Sequence, residues 1–145
     1  MQRVVVDTNV WVSAFLNPAG PPARVLAALD QRRFTLVASE YLLAEIAEVL
    51  TRPRVVRRYA VTPEARDIFI ELLHTRAVTV PTDGSVQICR DPDDDMVIET
   101  AVRGRADMLV TRDDDLKGSS EVMEYLDAVG VAVVSVQRFL DILEL

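Results

Sequence analysis

Three valines run straight into an aspartate near the start of this chain, in "RVVVDTN" (3–9). Valine is β-branched and suits a buried strand, whereas a lone carboxylate is costly to bury. Asp7 therefore sits at the surface end of a buried strand or is held for a purpose. Two further stretches concentrate acids: "DPDDD" (91–95) and "RDDD" (112–115) hold seven of the 23 Asp and Glu residues. Glu45 adds a fourth position among the apolar neighbours of "SEYLLAEIAEVL" (39–50). It is either solvated at the edge of that stripe or turned toward the other acids. Carboxylates packed together repel, and some protonate unless a cation is present. A hard divalent ion, Mg²⁺ or Mn²⁺, takes oxygen ligands and suits such a set. The single histidine, His74, and the single cysteine, Cys89, cannot make a zinc site with the usual ligands. His74 reads as a C-terminal helix cap, and nothing puts it with the acids for Ser-His-Asp or Cys-His catalysis.

The elements that must position these acids alternate. Strands are expected at 3–7, where valine runs without alternation, and at 34–39, 78–80, 107–111 and 131–135. Helices are expected at 22–33, with Pro at its start and Arg at its end, and at 40–52, capped by Ser39 and broken by Pro53. Further helices are expected at 62–77, opened by Thr62 and Pro63, at 93–106, opened by acids, at 119–130, closed by Gly130, and from 136 to the end. "VWVSAF" (10–15) also looks helical, with Asn9 a plausible turn or cap residue. This pattern argues for one α/β domain over 1–145, a mainly parallel sheet of about five strands with helices on both faces. In such sheets ligands bind beyond the carboxyl ends of the strands. Asp7 ends the first strand, "TRDDD" follows the "MLV" strand, and "DPDDD" starts the helix leading into that strand. All three clusters can meet on one rim.

Bulk properties bound the classes. With 145 residues, 50% hydrophobic and 27% charged, the chain has a folded composition. A net charge of −7 counts against a protein that merely coats nucleic acid, though not against an enzyme that reaches phosphates through metal ions. No signal-peptide pattern and no apolar run long enough for a bilayer is present, so the expectation is no membrane and a cytoplasmic location. One cysteine allows no intrachain disulfide.

The segments "VVVDTNVWVSAF" (4–15), "LLAEIAEVLTRPRV" (42–55), "CRDPDDDMVIETAV" (89–102) and "ADMLVTRDDDL" (106–116) together resemble a PIN-domain protein. The likeness follows the family's order over almost the whole chain. The nearest subgroup is that of the bacterial and archaeal toxin components of toxin–antitoxin pairs, similar to VapC. The resemblance implies a Mg²⁺- or Mn²⁺-dependent endoribonuclease, the toxin of a type II toxin–antitoxin system, whose acids fall on Asp7, Glu45, one of Asp93, Asp94 and Asp95, and Asp113. Asp94 is preferred at the third position. Positions +3, +4 and +7 from it are Val97, Ile98 and Ala101, whereas counting from Asp95 turns Glu99 inward. Asp95 and Asp115 stand in reserve. Thr8 and Asn9 correspond to the family's polar pair that orients Asp7 or a metal-bound water, and Thr111 can do likewise.

Arginines cluster as well. "RPRVVRR" (52–58) carries four in seven residues, and Arg112 lies between Thr111 and Asp113. Arg112, Arg52 and Arg54 are the candidate RNA phosphate contacts, although 52–58 also reads as a solvated helix end. Trp11 could stack on a base, but its apolar neighbours favour the core or a subunit interface. The resemblance further implies a homodimer and a cognate antitoxin that covers the acidic groove. A haloacid-dehalogenase-type phosphatase would need an Asp where Asn9 stands. A response-regulator receiver would need a lysine on a late strand, and the one lysine, Lys117, follows "RDDD". The remaining alternative is a PIN-like domain that binds RNA or protein without cutting.

Overall fold

The computed structural model describes residues 1–112 and 114–144, at 114 and 115 by their backbone alone. Among the described residues five strands form one parallel sheet: β1 (Arg3–Val6), β2 (Thr35–Ala38), β3 (Val78–Thr79), β4 (Met108–Val110) and β5 (Ala132–Val134). Their spatial order is β3-β2-β1-β4-β5. The chain therefore steps outward from β1 to one edge, then returns to the other side of β1. The order reverses between β1 and β4, the place where open α/β sheets leave a crevice at their carboxyl ends.

The helices are α1 (Thr8–Leu16), α2 (Pro21–Asp30), α3 (Glu40–Val49), α4 (Pro53–Tyr59), α5 (Pro63–Arg76), α6 (Pro92–Arg103), α7 (Asp114–Gly118), α8 (Ser120–Ala128) and α9 (Val136–Glu144). Alternation along each strand divides the core in two. Val4, Val6, Leu36, Met108 and Val110 pack with Trp11, Leu29, Ile46, Leu73 and Phe139 of α1, α2, α3, α5 and α9. Val5, Val37 and Leu109 face the other way, toward Val97, Ile98 and Ala101 of α6 and Leu126 of α8. The valine run of β1, expected to be buried on both faces, is so because helices cover both. Trp11 is a core residue.

Side-chain caps set the element boundaries. Ser39 accepts from the amide of Leu42 at 3.3 Å, Thr62 from Ala65 at 3.2 Å and Ser119 from Val122 at 3.4 Å. Several boundaries differ from expectation. The helix expected to 33 ends at Asp30, because the chain turns through Arg32 at φ 58°. The helix expected to 52 ends at Val49, and Pro53 opens a helix of its own, α4, closed by Ala60 in the left-handed conformation. A proline lacking its amide hydrogen fits the first turn of a helix as well as it ends the preceding one. Asp91 caps α6 by accepting from the amide of Asp93 at 2.9 Å, so that helix starts at Pro92 and stops at Arg103. The short α7 has no counterpart among the expected elements.

Gly104 lets α6 close onto the sheet. A Cβ there would lie 2.1 Å from Val37 Cγ1 and 3.0 Å from the Thr100 carbonyl. Its own carbonyl accepts from Arg3 Nε and Nη2 at 2.9 and 2.7 Å, tying the start of β1 to the turn before β4. We expect Gly104→Ala to cost about 1–3 kcal/mol through overpacking, with part of the loss restored by adding Val37→Ala. Denaturant unfolding of the two variants checks this, and an unchanged midpoint in Gly104→Ala contradicts it.

Candidate active site

β1 carries Asp7 to the centre of the sheet's carboxyl edge. There the aspartate caps α1, its Oδ1 accepting from the Thr8 amide at 2.8 Å, a role the sequence suggested for Asn9. From the end of β4, the Thr111 hydroxyl donates to Asp7 Oδ2 at 2.8 Å, while the Asp7 amide donates to the Val110 carbonyl at 2.9 Å. Asp7 is 7% exposed and Thr111 fully buried. A strand-end carboxylate with both oxygens engaged has a fixed direction.

Asp7 opens into a cleft of about 750 Å³ that brings together Thr8, Asn9, Glu45 and Asp94, with Arg52 at its margin. Glu45 arrives from the middle of α3 and is half-buried. Burial pushes its pKa up, the Thr8 hydroxyl opposes that, and the charges of Asp93, Asp7 and Asp91 add to it. Thr8 Oγ1 is itself buried and, among the described residues, in hydrogen-bonding geometry with nothing. It stands near enough to Glu45 to favour its charged form without forming a well-aligned bond. Tyr41 and Glu48 also line the cleft and escaped the sequence reading, while Asp91 joins it from the acid cluster 91–95. Tyr41 precedes Glu45 by one helical turn, a spacing that puts both on one face. Its phenol donates to Asp93, and that bond, with burial and the nearby carboxylates, pushes its pKa up to about 12. Tyr41 is therefore a neutral donor at ordinary pH.

The acids of α6 divide their work. Asp94 lines the cleft. Asp95 is buried, and its Oδ1 accepts from the amides of Ile88 and Cys89 at 2.9 and 2.8 Å. One turn further on, Glu99 is 1% exposed. Its carboxylate accepts from the amides of Asp83 and Gly84 at 2.7 and 2.9 Å and from Arg103 Nε at 2.9 Å. The expectation that an inward glutamate would be disfavoured at 99 is corrected here. Paired backbone amides make an anion-binding concavity, and the loop before α6 supplies two of them.

Arg112 lies just past β4, its Nη1 donating to Ser13 Oγ at 3.0 Å. Arg52 forms a two-pronged pair with Glu48 one turn back, at 3.1 and 2.8 Å. Arg54 is exposed on α4. His74, read as a cap, meets Glu40 at 3.1 Å on the exposed surface. Asp113 and the side chain of Asp115 lie outside the described residues.

Among the described residues no three His, Cys, Asp or Glu groups are close enough together to enclose a metal ion. The donors around the cleft are still of one chemical kind. They are carboxylate and hydroxyl oxygens: the pKa of Glu45 is raised first by burial and then by the charges of Asp93, Asp7 and Asp91, and the buried Thr8 hydroxyl beside them makes no well-aligned bond. That set fits a hard divalent cation and no soft one.

No helix of the described residues is long and apolar enough to cross a membrane. The sequence matches the PIN domain family over residues 3–115. It is also similar to an uncharacterized protein of Methanocaldococcus jannaschii, with 28% identity over 124 residues, covering 86% of this chain and 79% of that protein. The family match takes in β1, α3, α6 and β4, the four elements that bring Asp7, Glu45, Asp94 and Thr111 to one rim, and the chain belongs to the PIN domain family, whose members are in general nucleases and typically use divalent metals.

Proposed function

We propose that this protein is a divalent-metal-dependent endoribonuclease that hydrolyses RNA phosphodiester bonds, the toxin of a type II toxin–antitoxin pair. The observation that carries the nuclease reading is the fixed Asp7 carboxylate at the switch point of the sheet, opening into one cleft with Glu45 and Asp94. Asp7, Glu45, Asp94 and Asp113 would hold Mg²⁺ or Mn²⁺, with Asp115 in reserve, whereas Asp95, the other reserve, has its Oδ1 engaged by the amides of Ile88 and Cys89. When bound, such an ion supplies an activated water and charge stabilisation at the phosphate.

The chain's own groups do the rest. Thr111 and the Thr8 amide aim Asp7. The Thr8 hydroxyl favours the charged form of Glu45. Tyr41, neutral and hydrogen-bonded to Asp93, keeps that carboxylate turned toward the rim. Arg112, Arg52 and Arg54 contact RNA phosphates around the acids, which makes binding salt-dependent. The toxin reading, with a homodimer and a cognate antitoxin that covers the cleft, is supported by the four motif segments similar to VapC-like toxins.

Purified protein incubated with a panel of structured RNAs in Mn²⁺, Mg²⁺ or EDTA tests the activity. We expect metal-dependent internal cuts that fall by at least about 10²-fold in Asp7→Asn, the scale of losing a group that stabilises developing charge. Asparagine keeps an oxygen for the Thr8 amide, and its NH₂ can donate to the Thr111 hydroxyl oxygen, which reverses that bond rather than removing it, so the variant should still fold. Cutting retained by Asp7→Asn would sink the assignment.

Thermal melts supply a second check. Mn²⁺ at a hundredfold excess over its Kd adds about 2.7 kcal/mol to stability, and Glu45→Gln should lose most of that gain. Without metal the sign reverses at neutral pH. The native pKa of Glu45 is raised, so its protonated form carries stability that is fully present below the ordinary value of 4.5 and lost as pH rises through the native value. Glu45→Gln in EDTA should therefore melt above the wild type at pH 7 and level with it at about pH 4. A lower melting temperature at pH 7 contradicts the electrostatic account.

A further inference from the structure

A second hollow, of about 530 Å³, opens beside the acidic cleft, and Ser13 lines both. We propose that it is a subsite for one unpaired nucleobase of a single-stranded nucleic acid whose adjoining phosphate lies at the acids. The proposal rests on the nuclease reading for that phosphate, and on the following observations for the base.

The walls combine an aromatic ring, apolar faces and two amides, the makings of a small-molecule pocket. Tyr59, the last residue of α4, lines the hollow and remains 44% exposed. An exposed tyrosine that packs into no core is a platform on which any base can stack. The same hollow is lined by Pro22 and by the amide side chains of Asn17 and Gln137. Each amide has its orientation fixed by an existing partner. Asn17 Oδ1 accepts from the Ala19 amide at 3.3 Å, which leaves its NH₂ for a ligand. Gln137 Nε2 donates to Asp141 Oδ1 at 3.0 Å, which leaves its oxygen. One donor and one acceptor at a pocket wall match the edge of a base, and only an unpaired base offers that edge.

Charge favours the same occupant. The chain carries −7 overall, yet the hollow is flanked by positive groups. The Arg58 guanidinium lies 5.4 Å from the centre of the Tyr59 ring, and Arg112, bonded to Ser13 at 3.0 Å, stands on the ridge between the two hollows. A strand crossing that ridge would lay its backbone on Arg112, with one base on Tyr59 and the next phosphate at Asp7. An acidic peptide would use the arginines but would leave the ring and the amide pair idle.

The test reads binding at this site rather than cutting. A fluorescent single strand of about eight nucleotides, within the span such surfaces hold, is titrated with Mn²⁺ and with EDTA, as RNA and as DNA. Wild type, Tyr59→Ala and Tyr59→Phe are compared, and a 4-thiouridine version is photocrosslinked and its attachment mapped. Tyr59→Ala should weaken binding by about fivefold to a hundredfold, the range for loss of one stacked base. Tyr59→Phe should bind as wild type, all three should melt alike, and the crosslink should fall on Tyr59 or α9. A stronger effect on RNA or on DNA names the strand read. Unchanged binding in Tyr59→Ala, no binding by the wild type, a crosslink confined to the loop before α6, or equal displacement from wild type and Tyr59→Ala by polyglutamate would each overturn the subsite. Metal-dependent cutting that survives such a result leaves the nuclease standing. Tyr59-dependent binding without any cutting leaves the subsite and removes the nuclease.

Discussion

One buried hydrogen bond organises the centre of this molecule, the 2.8 Å contact from the Thr111 hydroxyl to the Asp7 carboxylate. It joins the ends of β1 and β4, the two strands between which the sheet reverses its order. A carboxylate this buried needs compensation, and the Thr111 hydroxyl and the helix-initiating Thr8 amide contribute to it. The positive end of α1 lies at the same point. The pairing of Val4 with Met108, Val5 with Leu109 and Val6 with Val110 sets the register that delivers the threonine to the aspartate. A slip of one residue would turn the strand's side chains to the wrong faces and part the two groups.

The first two turns of α6 show how neighbouring carboxylates acquire different tasks. Asp91 caps the helix, Asp93 takes the Tyr41 phenol, Asp94 lines the cleft, and Asp95 and Glu99 hold the preceding loop by its amides. Two carboxylates four residues apart lie on one helical face, so they bind the loop at two points along its course. The Arg103–Asp83 ion pair at 2.9 Å fastens its near end again. That loop leads into the rim that carries Asp91, and its anchoring limits how far the cleft wall can move.

Charge is distributed to the same effect. Acids gather at the carboxyl edge of the sheet and the arginines of 52–58 gather on α4, beside it rather than within it. Arg52 is the exception, paired with Glu48 at the margin. A phosphate backbone approaching such a rim meets attraction at its flank and repulsion at its centre, which only a cation relieves.

Much of this was legible in the sequence. The unbroken valine run at 4–6 marked the central strand of the sheet, buried on both faces. Ser39, Thr62 and Ser119 marked helix starts, because a side-chain oxygen followed by a helical pattern is a local signal. The acids at 7, 45 and 91–95 stood out by type and spacing. Four things were decided only by the tertiary structure. The inward turn of Glu99 depends on amides contributed by a loop 15 and 16 residues earlier. The bond from Thr111 to Asp7 spans 104 residues and requires β1 and β4 to be neighbours. Tyr41 enters the site only because α3 presents it toward Asp93, 52 residues away. The hollow beside Ser13 is built from the ends of α1, α4 and α9, which no sequence period brings together. Local chemistry is written in neighbouring residues and survives without the fold. Compensation of buried charge and the shape of a cleft depend on partners distant in the chain, and only the packed sheet supplies them.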